Sequence, residues 1–236
     1  MTQLVFIHGP GAGGCARAYC QQLEHFKGSV APELPGHLSG SPCGSVERYT
    51  EWLRGWLWAK GLHHDLVLVG YTLGSLIGLQ YGLDYPDEVK GLVLQTAAMR
   101  PKGIKPEVFA QRMRASTDPA ENEVFLDTMR KAMQFIEPGL REEFIAWHRK
   151  VGARSQHDDL AAMERFDVRD RISTLKPKLL LMHGTDRHVA PGPFEEEIEA
   201  AVPGSKRMSM DGCGHFPMAE KPALFNRIVE EFMATL

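Results

Sequence analysis

The sequence predicts an α/β fold in which helices cover both faces of a mostly parallel sheet. Two observations lead to this prediction. Short apolar runs, several of them β-branched, alternate along the 236 residues with segments whose apolar residues have helical spacing, which is the pattern of strand-helix-strand units. The strand-like runs are apolar throughout rather than at alternate positions, as expected for strands buried on both faces of a parallel sheet.

The predicted strands and helices follow one another in a regular order. The strands are expected at Leu4–Ile7, Gly28–Ala31, Leu66–Val69, Gly91–Leu94, Lys178–Met182 and Lys206–Met210. Apolar residues with helical spacing predict helices over Val46–Lys60 and Phe225–Met233. Tryptophans in the first of these helices are expected to pack rather than to bind a ligand.

The stretch from Asp65 to Tyr85 is the most informative part of the chain. An apolar strand pattern changes into a helical one at Thr72, which lies between Gly70 and Gly74. A strand that turns into a helix within two or three residues holds the turning residue at a strained, usually positive φ, so its neighbours must be small. This is the geometry of a nucleophile elbow, in which the hydroxyl of Thr72 projects from the sheet and the N–H of Leu73 points into the same space.

A membrane span is the alternative interpretation of the same stretch. About 18 residues of low polarity with glycines four apart also describe a transmembrane helix. Thr72, Ser75 and Gln80 interrupt the run, and the elbow explains Gly70 whereas a span does not. We therefore expect no membrane span.

A helical insert is expected between the fourth and fifth strands. The segment from about Arg100 to Pro177 contains no convincing strand and is broken by prolines and glycines. The predicted domains are a core of residues 1–99 and 178–236 and a helical lid of residues 100–177, which would cover the exposed hydroxyl. The methionines and aromatic residues of this part of the chain suggest an apolar, adaptable pocket: Met99, Phe109, Met113, Phe125, Met129, Met133, Phe135 and Trp147.

Composition and charge exclude some classes of protein. The formal net charge is −3 and the pI is near 6.4, without a local run of lysine or arginine, so we expect no nucleic-acid partner. The first ten residues enter a strand without a basic segment or a cleavage site, which predicts a cytoplasmic protein without a signal peptide. The sequence is compatible with a homodimer.

The four cysteines show neither a CxxC pair nor the spacing of a zinc site. We expect reduced thiols. Cys15 and Cys213 lie close in sequence to the predicted site, so a reactive thiol is the alternative, although neither has the orienting partners that a cysteine nucleophile needs.

Polar groups follow the last two strands, where ligands bind in open parallel sheets. Asp186 follows the first of these strands, and His215 follows the second. Together with Thr72 they supply a hydroxyl, a carboxylate and an imidazole, the parts of a nucleophilic triad, in the chain order nucleophile, acid, base. Taken singly, an aspartate after a strand usually forms a turn, and a histidine beside glycine usually lies in a loop. The joint placement of the three residues is what favours catalysis.

At this point the chain resembles the α/β-hydrolase family over nearly its whole length. The similar segments are LVFIHGPGAGG, LPGHLSGSP, VGYTLGSL, HGTDRHVAP and GCGHFPMAEKP. The resemblance implies a six-stranded core, an ester or thioester substrate, a Thr72–His215–Asp186 triad and an acyl-Thr72 intermediate. It also implies an oxyanion or substrate-binding site formed by the residues Leu73, Gly9, Pro10 and Gly11, with no metal and no cofactor.

Three departures from the family pattern bear on the mechanism. The nucleophile of the family is nearly always serine, whereas this chain has Thr72, and a β-branched residue at a strained φ costs about 1–3 kcal/mol. Pro10 occupies the position of the second oxyanion donor and has no N–H, so Gly11 is a candidate substitute. The loop HGTDRHVAP, which corresponds to the family's acid loop, has one residue fewer before the aspartate than the usual pattern, so Arg187 could occupy the position of the acid. We favour Asp186 because its spacing to Val189 is the ordinary one.

Three functions fit these features. The first is a hydrolase of carboxylic esters or thioesters with an apolar acyl part. The second is a lyase-like enzyme in which His215 is the base and Thr72 only positions substrate. The third is a binding protein that keeps the pocket and has lost efficient catalysis. Asp186 and His215 favour the first two functions, whereas Thr72 and Pro10 favour the last two.

Overall fold

The computed structural model describes residues 2–11, 15–101, 104–186 and 194–236. Within this part of the chain five strands form one parallel sheet in sequential order, with each strand pairing with the next. The α/β fold class and the parallel sheet predicted from the sequence are confirmed. The strands are β1 Gln3–Ile7, β2 Leu66–Tyr71, β3 Val89–Gln95, β4 Lys178–Gly184 and β5 Lys206–Met210.

The predicted strand at Gly28–Ala31, which would have given the sheet six strands, is wrong for the described residues. Only Val30 pairs with the sheet, through a bridge to Val5 in which it donates to the carbonyl of Leu4 and accepts from the amide of Phe6. The ladder stops there because the next residue that would donate is Pro32, which has no N–H.

Ten α-helices accompany the strands in the described residues. They are α1 Cys20–His25, α2 Val46–Ala59, α3 Leu73–Asp84, α4 Pro106–Ala115, α5 Pro119–Ala132, α6 Pro138–Val151, α7 Ala153–Glu164, α8 Phe194–Ala201, α9 Pro217–Glu220 and α10 Pro222–Met233. The helices predicted over Val46–Lys60 and Phe225–Met233 correspond to α2 and α10. No helix in the described part of the chain is long and apolar enough to cross a membrane.

Side chains of the sheet contribute to two cores, one on each face. Val67 and Val69 of β2 belong to the core that also contains residues of α10 and of the helices after β3. Leu66 and Leu68 belong to the core that contains residues of α2 and α3. All six residues of β2 are buried. The apolar run of β2 therefore reflects burial on both faces, as the sequence predicts.

Helices α4 to α7, which we call the helical insert, lie between β3 and β4 in sequence. Within the insert α4 packs against α5 and α7, and α7 also packs against α3 of the core. Three of the four helices begin with proline at their first turn, where the missing N–H costs nothing. The insert therefore contacts the core through the packing of α7 against α3.

Candidate active site

Thr72 has the backbone geometry that the elbow requires. It lies between β2 and α3 with φ 46° and ψ −109°, and its N–H donates to the carbonyl of Gln95 on the adjacent strand at 3.0 Å. Its carbonyl accepts the first hydrogen bonds of α3, from Ser75 at 2.9 Å and Leu76 at 3.1 Å. The threonine is thus held at a positive φ by the sheet on one side and the helix on the other.

Three glycines permit this turn because other atoms occupy the space of their missing side chains. A Cβ at Gly70 would lie 2.4 Å from the carbonyl oxygen of Gly74, and one at Gly74 would lie 2.0 Å from that of Ile7. A Cβ at Gly9 would lie 2.1 Å from Oγ1 of Thr72 itself. The loop after β1 therefore passes directly beside the threonine hydroxyl.

A cavity of about 870 Å³ lies between the elbow and the helical insert. Thr72 and His215 both line it, and Thr72 is only 6% exposed. Oγ1 of Thr72 is buried without a hydrogen-bond partner among the described residues, so the hydroxyl and the imidazole share a cavity without being hydrogen-bonded to each other. Such contacts often tighten only when substrate binds.

His215 lies on a loop that is held by a carboxylate. Glu220 accepts hydrogen bonds from the backbone amides of Gly214 and of Phe216, the latter at 3.1 Å. The imidazole packs edge-on against Tyr71, with the ring centroids 5.2 Å apart. Glu220 and Tyr71 therefore fix the position of the loop and of the ring.

Asp186 follows β4 in direct contact with the histidine loop. Its amide donates to the carbonyl of Cys213 at 3.0 Å, and a Cβ at Gly184 would lie 2.2 Å from the carbonyl oxygen of Gly214. Asp186 and His215 both line a second, smaller cavity, which the buried carboxylate Glu195 also borders. The structure thus brings two acidic residues close to His215.

The alternative acid position falls outside the described residues. Arg187 and Val189, whose spacing decided between the two assignments, both lie in the segment 187–193 that the structure does not describe.

The predicted oxyanion residues surround the elbow. Leu73 is the first residue of α3, where backbone N–H groups lack partners within the helix. Pro10 lines the cavity. Gly11 has φ +80°, and a Cβ there would lie 2.3 Å from Cε1 of His148 and 2.7 Å from Nε2 of Gln156. Side chains of the helical insert therefore pack against the loop that carries Pro10 and Gly11.

The buried polar residues of the insert were missed by the sequence reasoning. Arg112, His148 and Gln156 are each at most 7% exposed, and all three line the cavity. The guanidinium of Arg112 donates through Nε to Oε1 of Gln156. The sequence signal for these residues was the presence of polar side chains on otherwise apolar helix faces. This signal was not sufficient, because the sequence does not show which face of each helix packs against the core.

The apolar residues expected to form the pocket behave differently from one another. Of the eight, only Met129 lines the cavity. Phe125 and Met133 are fully buried in the core, whereas Met113 and Phe135 are exposed. Other apolar side chains line it instead, among them Tyr71, Leu76, Val108, Leu160, Met163 and Phe216.

A second polar cluster joins the core to the insert. His37 lies with Nε2 2.9 Å from Oδ2 of Asp159 on α7, and both side chains are almost fully buried. Tyr49 donates to Oδ1 of the same carboxylate at 2.7 Å. Burial lowers the pKa of His37, but the hydrogen bond and charge of Asp159 outweigh it, so the pKa is raised. His37 and Asp159 thus form a buried ion pair.

His8 and Glu33 extend this cluster, and with His37 they have ligand atoms close enough to hold a metal ion. Nδ1 of His8 lies 2.9 Å from the carbonyl of Gly9, and Nε2 accepts from the amide of Leu34 at 2.9 Å. Burial and the charge of His37 lower the pKa of His8, so it is neutral. Because both nitrogens already bond the backbone, we interpret His8 as support for the loops around Thr72.

Within the described residues the four cysteines form no disulfide with one another. Cys15 and Cys213 are buried, and burial raises the pKa of each thiol to about 11. At neutral pH both are therefore protonated and poor nucleophiles.

Comparison with known proteins identifies similar enzymes. The profile of the alpha/beta hydrolase family matches residues 4–228. A 2-hydroxy-6-oxo-2,4-heptadienoate hydrolase from Pseudomonas putida is 25% identical, covering 98% of this chain and 88% of its own length. A pimeloyl-[acyl-carrier protein] methyl ester esterase from Aeromonas hydrophila is 24% identical, with coverages of 98% and 94%. Among solved structures, the enol-lactonase from Burkholderia xenovorans LB400 shares the fold with a TM-score of 0.85 at 17% identity, covering 99% of this chain and 92% of its own.

Proposed function

Because the chain belongs to the alpha/beta-hydrolase family and is an enzyme with general hydrolase activity, we propose that it hydrolyses a carboxylic ester or thioester through an acyl-Thr72 intermediate. The observation that supports this most directly is the backbone of Thr72, whose φ of 46° directs a buried hydroxyl into the cavity that His215 also lines. Strained backbone at a cavity is typical of a reacting residue.

In the proposed first step Oγ1 of Thr72 attacks the acyl carbon while His215 accepts its proton. The histidine then gives this proton to the leaving alcohol or thiol, and the acyl group remains on Thr72. Water, activated by the same imidazole, releases the acid in the second step. Asp186 would orient His215 and stabilise its imidazolium form. Glu195, beside the same small cavity, is the alternative acid.

The negative charge that develops on the acyl oxygen needs two donors. We assign one to the N–H of Leu73, at the start of α3, where the helix dipole also favours negative charge. Pro10 lacks the second N–H, and we assign that role to Gly11. Gly9 would serve by allowing the loop to approach Oγ1 of Thr72 closely.

We further propose that residues 100–177 act as a lid on a core formed by residues 1–99 and 178–236. The insert helices line the cavity and contact Gly11, so they would exclude water from the intermediate. The proposed location is the cytoplasm.

The experiment is an assay with p-nitrophenyl esters of increasing acyl length on the wild type and Thr72→Ala. Release of p-nitrophenol by the wild type and its loss in the variant, whose melting temperature should be unchanged or higher, is the expected result. Equal turnover by both proteins would remove Thr72 as the nucleophile. Substrate conversion without an acyl-enzyme in mass spectra after acid quench would favour the lyase-like alternative, in which His215 is the base.

A further inference from the structure

Arg112 is a buried cation that faces the cavity. Its side chain lies on α4, it is 6% exposed, and it lines the cavity shared by Thr72 and His215. Among the described residues no carboxylate lies within 4 Å of the guanidinium, although exposed arginines of the insert, such as Arg114 and Arg149, have carboxylate partners. Burying a cation without an anion is costly, so its position calls for an explanation.

The guanidinium is held in one orientation. Nε donates to Gln156, Nη1 donates to Oε1 of Gln111 at 2.6 Å, and the group stacks on the ring of Phe125 with its carbon 4.5 Å from the centroid. Nη2 has no hydrogen-bond partner among the described residues. Burial lowers the pKa of Arg112 to about 10, so the group stays charged at neutral pH. An oriented, charged guanidinium with a spare edge suits an oxygen anion.

The charges around the cavity have one sign. Besides Arg112, the charged side chains that line it in the described residues are Lys105 and Lys131, and no aspartate or glutamate of this part of the chain lines it. His148, the nearest titratable neighbour, has its pKa lowered well below the usual value by burial and by the charge of Arg112, so it is neutral. Cationic walls of low polarity attract anionic ligands.

The Arg112 group and the elbow are connected. Gln156, which accepts from Arg112, also lies against Gly11, two residues from the glycine that contacts Oγ1 of Thr72. One molecule in the cavity can therefore reach both ends, with the apolar side chains between them.

The geometry points to a substrate that carries a free carboxylate in addition to its ester or thioester bond, with the carboxylate bound by Arg112. This inference rests on the proposed function for the ester end of the molecule. Arg112 binds and positions the substrate, and Thr72 and His215 carry out the reaction.

The test compares monomethyl esters of linear dicarboxylic acids, from succinate to pimelate, with methyl esters of monocarboxylic acids of equal carbon number. The wild type should prefer one length of half-ester in kcat/KM. Arg112→Met should reduce the half-ester to neutral-ester ratio by about tenfold to a hundredfold, the range for a charged hydrogen bond. Arg114→Met, on the same helix but 56% exposed and paired with Glu121, is the matched control and should keep the ratio.

A second measurement needs no variant. Adipate should inhibit wild-type turnover of a neutral ester more strongly than hexanoate does, and inorganic phosphate should inhibit less than adipate. Equal inhibition by adipate and hexanoate, or a ratio that Arg112→Met leaves unchanged, would overturn the carboxylate assignment. Equal inhibition by phosphate would also overturn it, because the cavity would then hold any anion.

The two proposals fail in different ways. If neither class of ester is hydrolysed, the proposed function fails, and the carboxylate site is then tested by the rise in melting temperature that adipate gives to the wild type but not to Arg112→Met. If both classes are hydrolysed equally well, the hydrolase stands and the carboxylate site fails. Should Arg112→Met not fold, the inhibition of the wild type by adipate decides.

Discussion

The two walls of the cavity are built by different means. The core wall includes Pro10, Tyr71, Thr72 and His215. It is fixed by close backbone approaches beside Thr72, which leave no room for a Cβ at Gly70 or at Gly74. The insert wall, formed by Arg112, Met129, His148, Gln156 and Met163, is fixed by contacts between side chains of separate helices. The difference suggests that the core wall sets the reaction and the insert wall sets the substrate.

The largest effect is expected from His215→Ala, which tests the core wall. Loss of the general base, which also activates Thr72, should reduce turnover by roughly three to six powers of ten. The measurement is ester hydrolysis together with circular dichroism. His25→Ala, which removes an exposed histidine paired with Glu230, is the control and should keep its activity. More than about a tenth of the activity remaining would remove His215 from the mechanism.

The next effect concerns the attachment of the insert wall to the core. Asp159→Asn removes the partner of His37, and breaking a buried ion pair costs about 3–5 kcal/mol of unfolding free energy. Because the folded-state pKa of His37 is raised above that of the unfolded chain, the pair contributes fully below about pH 6.5 and its contribution is lost as the pH rises through the folded-state value.

Urea unfolding of the wild type and Asp159→Asn between pH 5.5 and 8.5 tests this dependence. The difference in unfolding free energy should be largest at the acid end and decrease towards the alkaline end. His8, Glu33 and Tyr49 also face the pair, but they are common to both proteins. A difference that grows with pH would show that His37 is neutral in the folded state.

Gly74→Ala tests whether backbone contacts really fix the core wall. The new Cβ would lie 2.0 Å from the carbonyl oxygen of Ile7, and such overpacking costs about 1–3 kcal/mol. Gly55→Ala in α2 is the matched control, since a Cβ there meets nothing within 4 Å and should stabilise the helix by roughly 0.5–1 kcal/mol. If thermal melting gave the two variants equal shifts, the close approach at Gly74 would be refuted.

The smallest effect, from Thr72→Ser, refines the role of the threonine. The serine removes a β-branched residue from a positive φ and a methyl group from the attacking oxygen, so stability and ester turnover should both rise. Turnover should increase about tenfold for each 1.4 kcal/mol recovered. A more stable serine variant without faster ester hydrolysis would favour the lyase-like or binding function.

The sequence predicted the core wall better than the insert wall. The elbow could be predicted because Gly70, Thr72 and Gly74 are neighbours in the chain and a tight turn has local requirements. Asp186 and His215 could be placed at one edge because parallel strands end together. The role of each residue in catalysis stays a prediction.

The failures have physical causes too. The strand at Gly28–Ala31 was expected from the alternation of strands and helices and from the family resemblance, although Pro32 was there to end the ladder. Arg112 and Gln156 could not be paired from the sequence because they lie on different helices, and helical periodicity does not say which faces meet. For the same reason Phe125 and Met133 were assigned to the pocket although they pack inside the core.

In the proposed lid arrangement, the contact between the insert and Gly11 would couple access to reactivity. His148 and Gln156 occupy the space beside Gly11 that a side chain would fill. A movement of the insert that admits substrate would therefore also free the loop proposed to carry the second oxyanion donor. An open molecule would then bind without reacting, and only the closed population would turn over. Opening would therefore lower the fraction of enzyme molecules that are competent to react. A change that loosens the insert would raise the rate of product escape and lower the rate of acyl transfer.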